Sequence, residues 1–242
     1  MLRPYIALCP LPSALCPLPV TRVLYLDRYH LGDPLFLTGL ARDLAAGGPP
    51  TILVHGAAED GERALEAGGR FPVWEGDVLA APTLEEAMTV ERAGRDLNRR
   101  IAHALNESGA AAVRMDGASR GLFSVDPAGV RVGDLGWVEA LLRQRAVPVV
   151  LALSPDGEGP LRQVSGGRLA AALAAALPEG EATFLARKPL AEGEVLRLAE
   201  IPPDALGERE AVAQALAAGA MPRTVSPRDL RRPDARGARL TG

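Results

Sequence analysis

From residue 22 onward, short runs of consecutive apolar residues alternate with longer stretches in which apolar residues recur every three or four positions. The first pattern predicts strands covered on both faces and the second predicts amphipathic helices. Their alternation is that of an α/β protein with a mainly parallel sheet. Strands are expected at 22–26 (RVLYL), 51–55 (TILVH), 110–115 (AAAVRM), 147–153 (VPVVLAL), 182–186 (ATFLA) and 223–226 (RTVS), and helices at 33–46, 58–67, 84–107, 136–145, 166–177 and 208–218. In the third helix Leu97, Ile101, Ala104 and Leu105 follow the spacing of one buried face, while Arg95, Arg99 and Arg100 fall mostly on the other.

Three stretches depart from this rhythm. RGLFSVDPAGVRVGDLG (120–136) carries alternating apolar residues on both sides of Pro127-Ala128-Gly129, which predicts an antiparallel hairpin inserted into the parallel run. ALCPLPS (7–13) and ALCPLPV (14–20) form a tandem repeat whose proline density forbids a continuous helix, so residues 1–20 are expected to be a disordered leader. The body is then expected at 21–226, with a polar tail at 227–242 that forms a loop or an edge strand.

The 242 residues, 48% of them hydrophobic, suffice for a sizeable core. The formal charge of −3 is scattered along the chain, without the concentrated basic face that nucleic acid needs, so no nucleic-acid partner is expected. No stretch reaches the roughly 18 apolar residues of a membrane helix, and a cytoplasmic protein without a membrane partner is expected. Cys9 and Cys16 both lie in the repeat, and His30, His55 and His103 are far apart and read as surface or hydrogen-bonded side chains, so no metal is expected. Lys188 is the only lysine among 27 basic residues.

The order of elements and four phrases together resemble the amino-acid kinase family, in its N-acetylglutamate and N-acetyl-aminoadipate kinase branch. These are ILVHGA (52–57), DLNRRIAHALNESGAAAVRMDG (96–117), DLGWVEALLRQRAVPVVLAL (134–153) and SGGRLAAALAAAL (165–177). The resemblance covers about residues 22–226 and implies a three-layer αβα sandwich. It also implies transfer of the γ-phosphoryl of ATP, with Mg, to the side-chain carboxylate of an acylated amino acid, in arginine or lysine biosynthesis. Such catalysis is mostly positioning and charge neutralisation by two lysines, glycine backbone donors and an organising aspartate. The resemblance places Gly56, Ala57 and Gln163 at the substrate, Gly166, Gly167 and Arg168 at the nucleotide, and Gly117 at a permissive strand end.

The departures from the family pattern fall on the chemistry. Where the family carries Lys-x-Gly-Gly after the first strand, this chain has Tyr25, Asp27 and Arg28, and a carboxylate there repels phosphate. The Asn-x-Asp motif falls on Gln163 and Ser165, the substrate-gripping arginine falls near Thr83 with none adjacent, and the segment of the second lysine is missing between Pro202 and Glu208. Arg28 and Lys188 are the cations left to replace the lysines. Two readings stand. One is a non-catalytic binding or regulatory subunit, pairing as a homodimer or with an active relative through the apolar-rich helix at 84–107 (Met88, Val90, Leu97, Ile101, Leu105). The other is a diverged kinase using Arg28 and Lys188. At the strand-to-helix turn Gly56-Ala57, a plain connector and a carboxylate seat both fit the sequence.

Overall fold

The first strand, β1 (Thr21–Leu26), is buried at every position, and its side chains alternate between two cores. That alternation organises the computed structural model, which describes residues 20–155, 159–188, 190, 193–230 and 237–242. After β1 come α1 (Arg28–Leu31), α2 (Pro34–Ala45), β2 (Thr51–His55) and α3 (Ala58–Ala67). A ribbon of β3 (Trp74–Glu75) and β4 (Val78–Leu79) then leads to the 24-residue α4 (Leu84–Glu107). β5 (Ala112–Met115) precedes a hairpin of β6 (Phe123–Asp126) and β7 (Gly129–Val132), then α5 (Gly136–Arg143) and β8 (Val147–Leu151). A second ribbon, β9 (Leu153–Ser154) with β10 (Arg162–Gln163), runs into α6 (Gly166–Ala176). β11 (Gly180–Leu185), β12 (Val195–Arg197), α7 (Arg209–Ala217), β13 (Arg223–Val225) and β14 (Ala238–Thr241) follow.

Eight strands form one sheet in the order β12-β14-β13-β11-β1-β2-β8-β5, parallel throughout except at β13–β14. On one face Val23, Tyr25, Ile52, Val54 and Val150 pack with Val138 of α5, Leu169 of α6 and Val212 of α7. On the other, Leu24, Leu26, Leu53 and Val149 pack with Leu40 of α2 and with Leu97, Ile101 and Leu105 of α4. Consecutive strand residues therefore both meet helices, which is why the strands read as unbroken apolar runs. This is the three-layer αβα arrangement with an inserted hairpin.

Every strand and helix expected from the sequence overlies an observed one, and the bounds of β2, α3 and α4 coincide with the expected ranges. VPVVLAL divides because the chain turns after Leu151, so that β9 pairs antiparallel with β10. The expected leader, apart from exposed Val20, lies outside the described residues. The tail needs correction. β14 is not an edge strand but lies between β12 and β13, with Ala238 and Leu240 buried; alternating burial in a short Arg-containing segment hid it. The apolar surplus that suggested a partner for α4 is taken up inside the chain, where Val90, Leu97, Ile101 and Leu105 are buried and Met88 alone of the five is exposed. Among the described residues no helix is long and apolar enough to cross a membrane.

Candidate functional site

Open parallel sheets offer ligands the rim where strand carboxyl ends meet helix N-termini. At the end of β1, Asp27 caps α1: Oδ1 accepts the His30 N–H at 2.9 Å and Oδ2 lies 2.7 Å from His30 Nδ1. Asp27 is buried, and Gly207 is so close that a Cβ there would stand 2.1 Å from Oδ2. Arg28 turns the other way, its guanidinium 4.3 Å from the centre of the Trp74 ring and its Nε 3.6 Å from Glu208 Oε1. Glu208 is buried and its Oε2 accepts the Tyr25 hydroxyl at 3.1 Å. Burial pushes the Glu208 pKa up to about 7; Arg28 opposes the rise, and Asp77 and Asp27 add to it. Burial, with Glu208 beside it, likewise raises the Tyr25 phenol well above its ordinary value.

The turn after β2 is held from beneath. His55 is fully buried, and burial lowers its pKa to about 4, so the ring is neutral near pH 7. Its Nδ1 lies 2.7 Å from the Gly56 carbonyl and its Nε2 3.1 Å from Asn98 Nδ2, which also donates to the Val149 carbonyl at 3.1 Å. A neutral ring meets both contacts as the Nδ1–H tautomer. Ala58, at the start of α3, has φ +50°, a left-handed conformation that favours glycine and is strained for alanine. Above the turn, Gln163 Oε1 accepts the Ala57 N–H at 3.2 Å while Nε2 donates to the Asp77 carbonyl at 3.3 Å. The same amide packs on Gly56, where a Cβ would approach Nε2 to 3.0 Å.

Asp77 comes from the β3–β4 ribbon, where Gly76 at φ +65° makes the turn. Its buried Oδ2 accepts the Gly167 N–H at 2.9 Å and the Ser165 hydroxyl at 3.1 Å, both at the N-terminus of α6. Oδ1 is buried with no hydrogen-bond partner. Burial raises the pKa of this carboxyl against the pull of those donors. The two glycines of α6 are packing residues: a Cβ at Gly166 would lie 2.2 Å from the Tyr25 ring, and one at Gly167 would lie 1.9 Å from the Ala211 carbonyl oxygen. Glu75, Asp77, Gln163, Ser165, Arg168 and Gln214 contribute to the lining of a cavity of about 350 Å³ beside this helix end.

No family model matches the chain. The acetylglutamate kinase of Chloroflexus aurantiacus is 30% identical to it over 189 residues, covering 72% of this chain and 74% of that protein. The acetylglutamate kinase of Roseiflexus sp. (strain RS-1) is 32% identical over 193 residues, covering 73% and 72%. The chain belongs to the acetylglutamate kinase family. Solved structures repeat the family fold. N-acetylglutamate synthase from Neisseria gonorrhoeae, complexed with coenzyme A and N-acetyl-glutamate, matches with a TM-score of 0.67 at 17% identity, over 92% of this chain and 59% of the synthase. An isopentenyl phosphate kinase matches at 0.62 and 17% identity, over 90% and 99%. At such identities the likeness is one of fold.

In this acetylglutamate kinase family member, Gly56, Ala57 and Gln163 are brought together, with Gln163 holding the Ala57 N–H. Gly166 and Gly167 open α6, and Arg168 turns aside to donate Nε to Gln214 Oε1 at 2.6 Å. Arg28 and Lys188 engage different acids, Glu208 and Asp204. The Lys188–Asp204 pair is exposed, and it is the neighbouring Arg187 that approaches α1, 3.6 Å over the Tyr29 ring and donating to the Gly207 carbonyl at 3.0 Å. Thr83 caps α4. Nearby, Arg162 of β10 donates Nη1 to the Ala81 carbonyl at 2.9 Å. Gly117 is fixed by contact, a Cβ there coming 2.7 Å from the Leu153 carbonyl oxygen. Sequence reasoning missed Asp77, Glu208, Trp74 and Arg187; Gly76-Asp77, between Trp74-Glu75 and Val78-Leu79, was the available turn signal.

Proposed function

We propose that this acetylglutamate kinase family member transfers no phosphoryl group and serves in the cytoplasm as a binding or regulatory subunit, as a homodimer or with an active relative. One observation carries the reading: Asp27, Asp77 and Glu208, all buried, surround the Tyr25 hydroxyl, and Arg28 meets this acidic group at Glu208. A γ-phosphoryl needs cationic neutralisation and free backbone donors. Here the Gly167 N–H at α6 is already held by Asp77, and the nearest acids repel a polyanion. ATP with Mg does not fit this arrangement of the rim. Each missing charge-assisted donor costs about 3–4 kcal/mol of transition-state stabilisation.

The ligand that suits this reading is an acylated amino acid at the Gly56-Ala57 turn, where Gln163 already occupies one donor and therefore weakens a carboxylate seat. Incubation with Mg-ATP and acetylglutamate or acetyl-aminoadipate should yield no hydroxamate-trappable acyl phosphate. Formation that disappears in Arg28→Ala or Lys188→Ala would overturn the proposal in favour of a diverged kinase. Sedimentation of the chain alone and mixed with an active relative tests the pairing; a monomer in both cases at micromolar concentration would overturn that part.

A further inference from the structure

The β3–β4 ribbon is fastened to the rim at several points. Arg28 stacks on Trp74, Gln163 donates to the Asp77 carbonyl, and Arg162 donates to the Ala81 carbonyl just beyond the ribbon. Its turn drives the Asp77 carboxylate onto the N-terminus of the 11-residue α6, where Oδ2 takes two donors, the Gly167 N–H and the Ser165 hydroxyl. Oδ1, equally buried, meets no donor. A carboxylate chosen only to cap a helix sits one to three residues away and in contact with water; this one lies 90 residues upstream of Gly167, buried, and half-satisfied. Helix N-termini with free N–H groups receive anions because donors and dipole point the same way. Here the donors are met by the chain itself.

We infer that the 75–77 turn is a built-in ligand: Asp77 occupies an anion seat at the N-terminus of α6 and holds the ribbon closed over it, excluding inorganic phosphate and phosphate-bearing ligands. The inference extends the non-catalytic reading but rests on this contact alone, and it is read by binding rather than by turnover, so each can fail without the other.

The test compares the full chain with Asp77→Gly and Asp77→Asn by thermal melts in sodium phosphate and in sodium chloride of matched ionic strength. Wild type should show no phosphate-specific shift. Asp77→Gly removes the occupant and should melt about 3 °C higher in phosphate than in chloride once phosphate is roughly fivefold above its dissociation constant, a shift set by ligand linkage in a chain of this size. Asp77→Asn keeps the side-chain volume, removes the charge, and should gain a smaller shift of the same sign; it decides the matter if the glycine variant does not fold. A phosphate-specific shift already present in wild type, or absent from every folded variant, would overturn the inference.

Discussion

At the start of α4, Thr83 and Glu86 exchange hydrogen bonds three residues apart in solvent; at the start of α6, Ser165 is joined by Asp77 from another element, 88 residues away. The first cap is complete within one turn and needs nothing from the rest of the fold. The second exists only when the ribbon and α6 are both in place. Their carboxyls also respond oppositely. Hydrogen bonds from Thr83 hold Glu86 below its usual pKa, whereas burial raises Asp77. A local cap stabilises a helix, while a distant one ties that helix to a site and brings unfavourable burial of charge with it.

The sharpest way to break this comparison is Gly167→Ala. The added methyl meets the Ala211 backbone at 1.9 Å, where no side-chain rotation relieves it, so urea denaturation should show a loss of about 3 kcal/mol. Glu85→Ala, in the first turn of α4 with its side chain largely exposed, should change stability by no more than about 0.5 kcal/mol.

Glu208→Gln tests the charge burial. In wild type the folded-state pKa of Glu208 is raised from 4.5 to about 7, so its contribution to stability falls as pH rises through that window. His55 runs the other way, lowered from 6.5 to about 4, so its contribution falls as pH drops through nearly the same window. Each amounts to about 3 kcal/mol, and in wild type the two slopes oppose. The glutamine variant keeps only the His55 slope, and should gain about 3 kcal/mol relative to wild type between pH 4.5 and 7.5 in urea melts. A pH-independent difference would refute the buried-acid assignment.

Smaller effects mark the exposed side of the contrast. Thr83→Ala removes the capping hydroxyl of α4 and should cost about 1 kcal/mol, with no effect on the ribbon. Lys188→Ala breaks an exposed pair with Asp204 and should alter stability by less than about 0.5 kcal/mol.

What could be read from the sequence follows the same division. α4 was legible to its bounds because its periodicity is long, and β2 because five apolar-rich residues end at a glycine. The Gly56-Ala57-Gln163 grouping was reachable through family resemblance, and the structure brings those residues into contact. The contacts of Asp77 and Glu208 were not reachable. Asp77 stands in the turn between strands of two residues, too short for any period, and Glu208 lies before a weakly amphipathic helix; both matter through partners 88 and 183 residues away in the chain. Asp27 was visible as a charge where phosphate should go, but its use as the α1 cap, paired with His30, required the fold.

The placement of β14 has a consequence for how the chain is made. Among the described residues β12 pairs with no strand of the sheet except β14, and β14 is bounded on its other side by β13. The neighbours β11-β1-β2-β8-β5 are all encoded before residue 186, so this block can assemble while synthesis is still under way. Val195–Arg197, by contrast, has no sheet partner until residues 238–241 leave the ribosome. A nascent chain halted before that point leaves the open edge of β13 bare, a template for pairing with another chain.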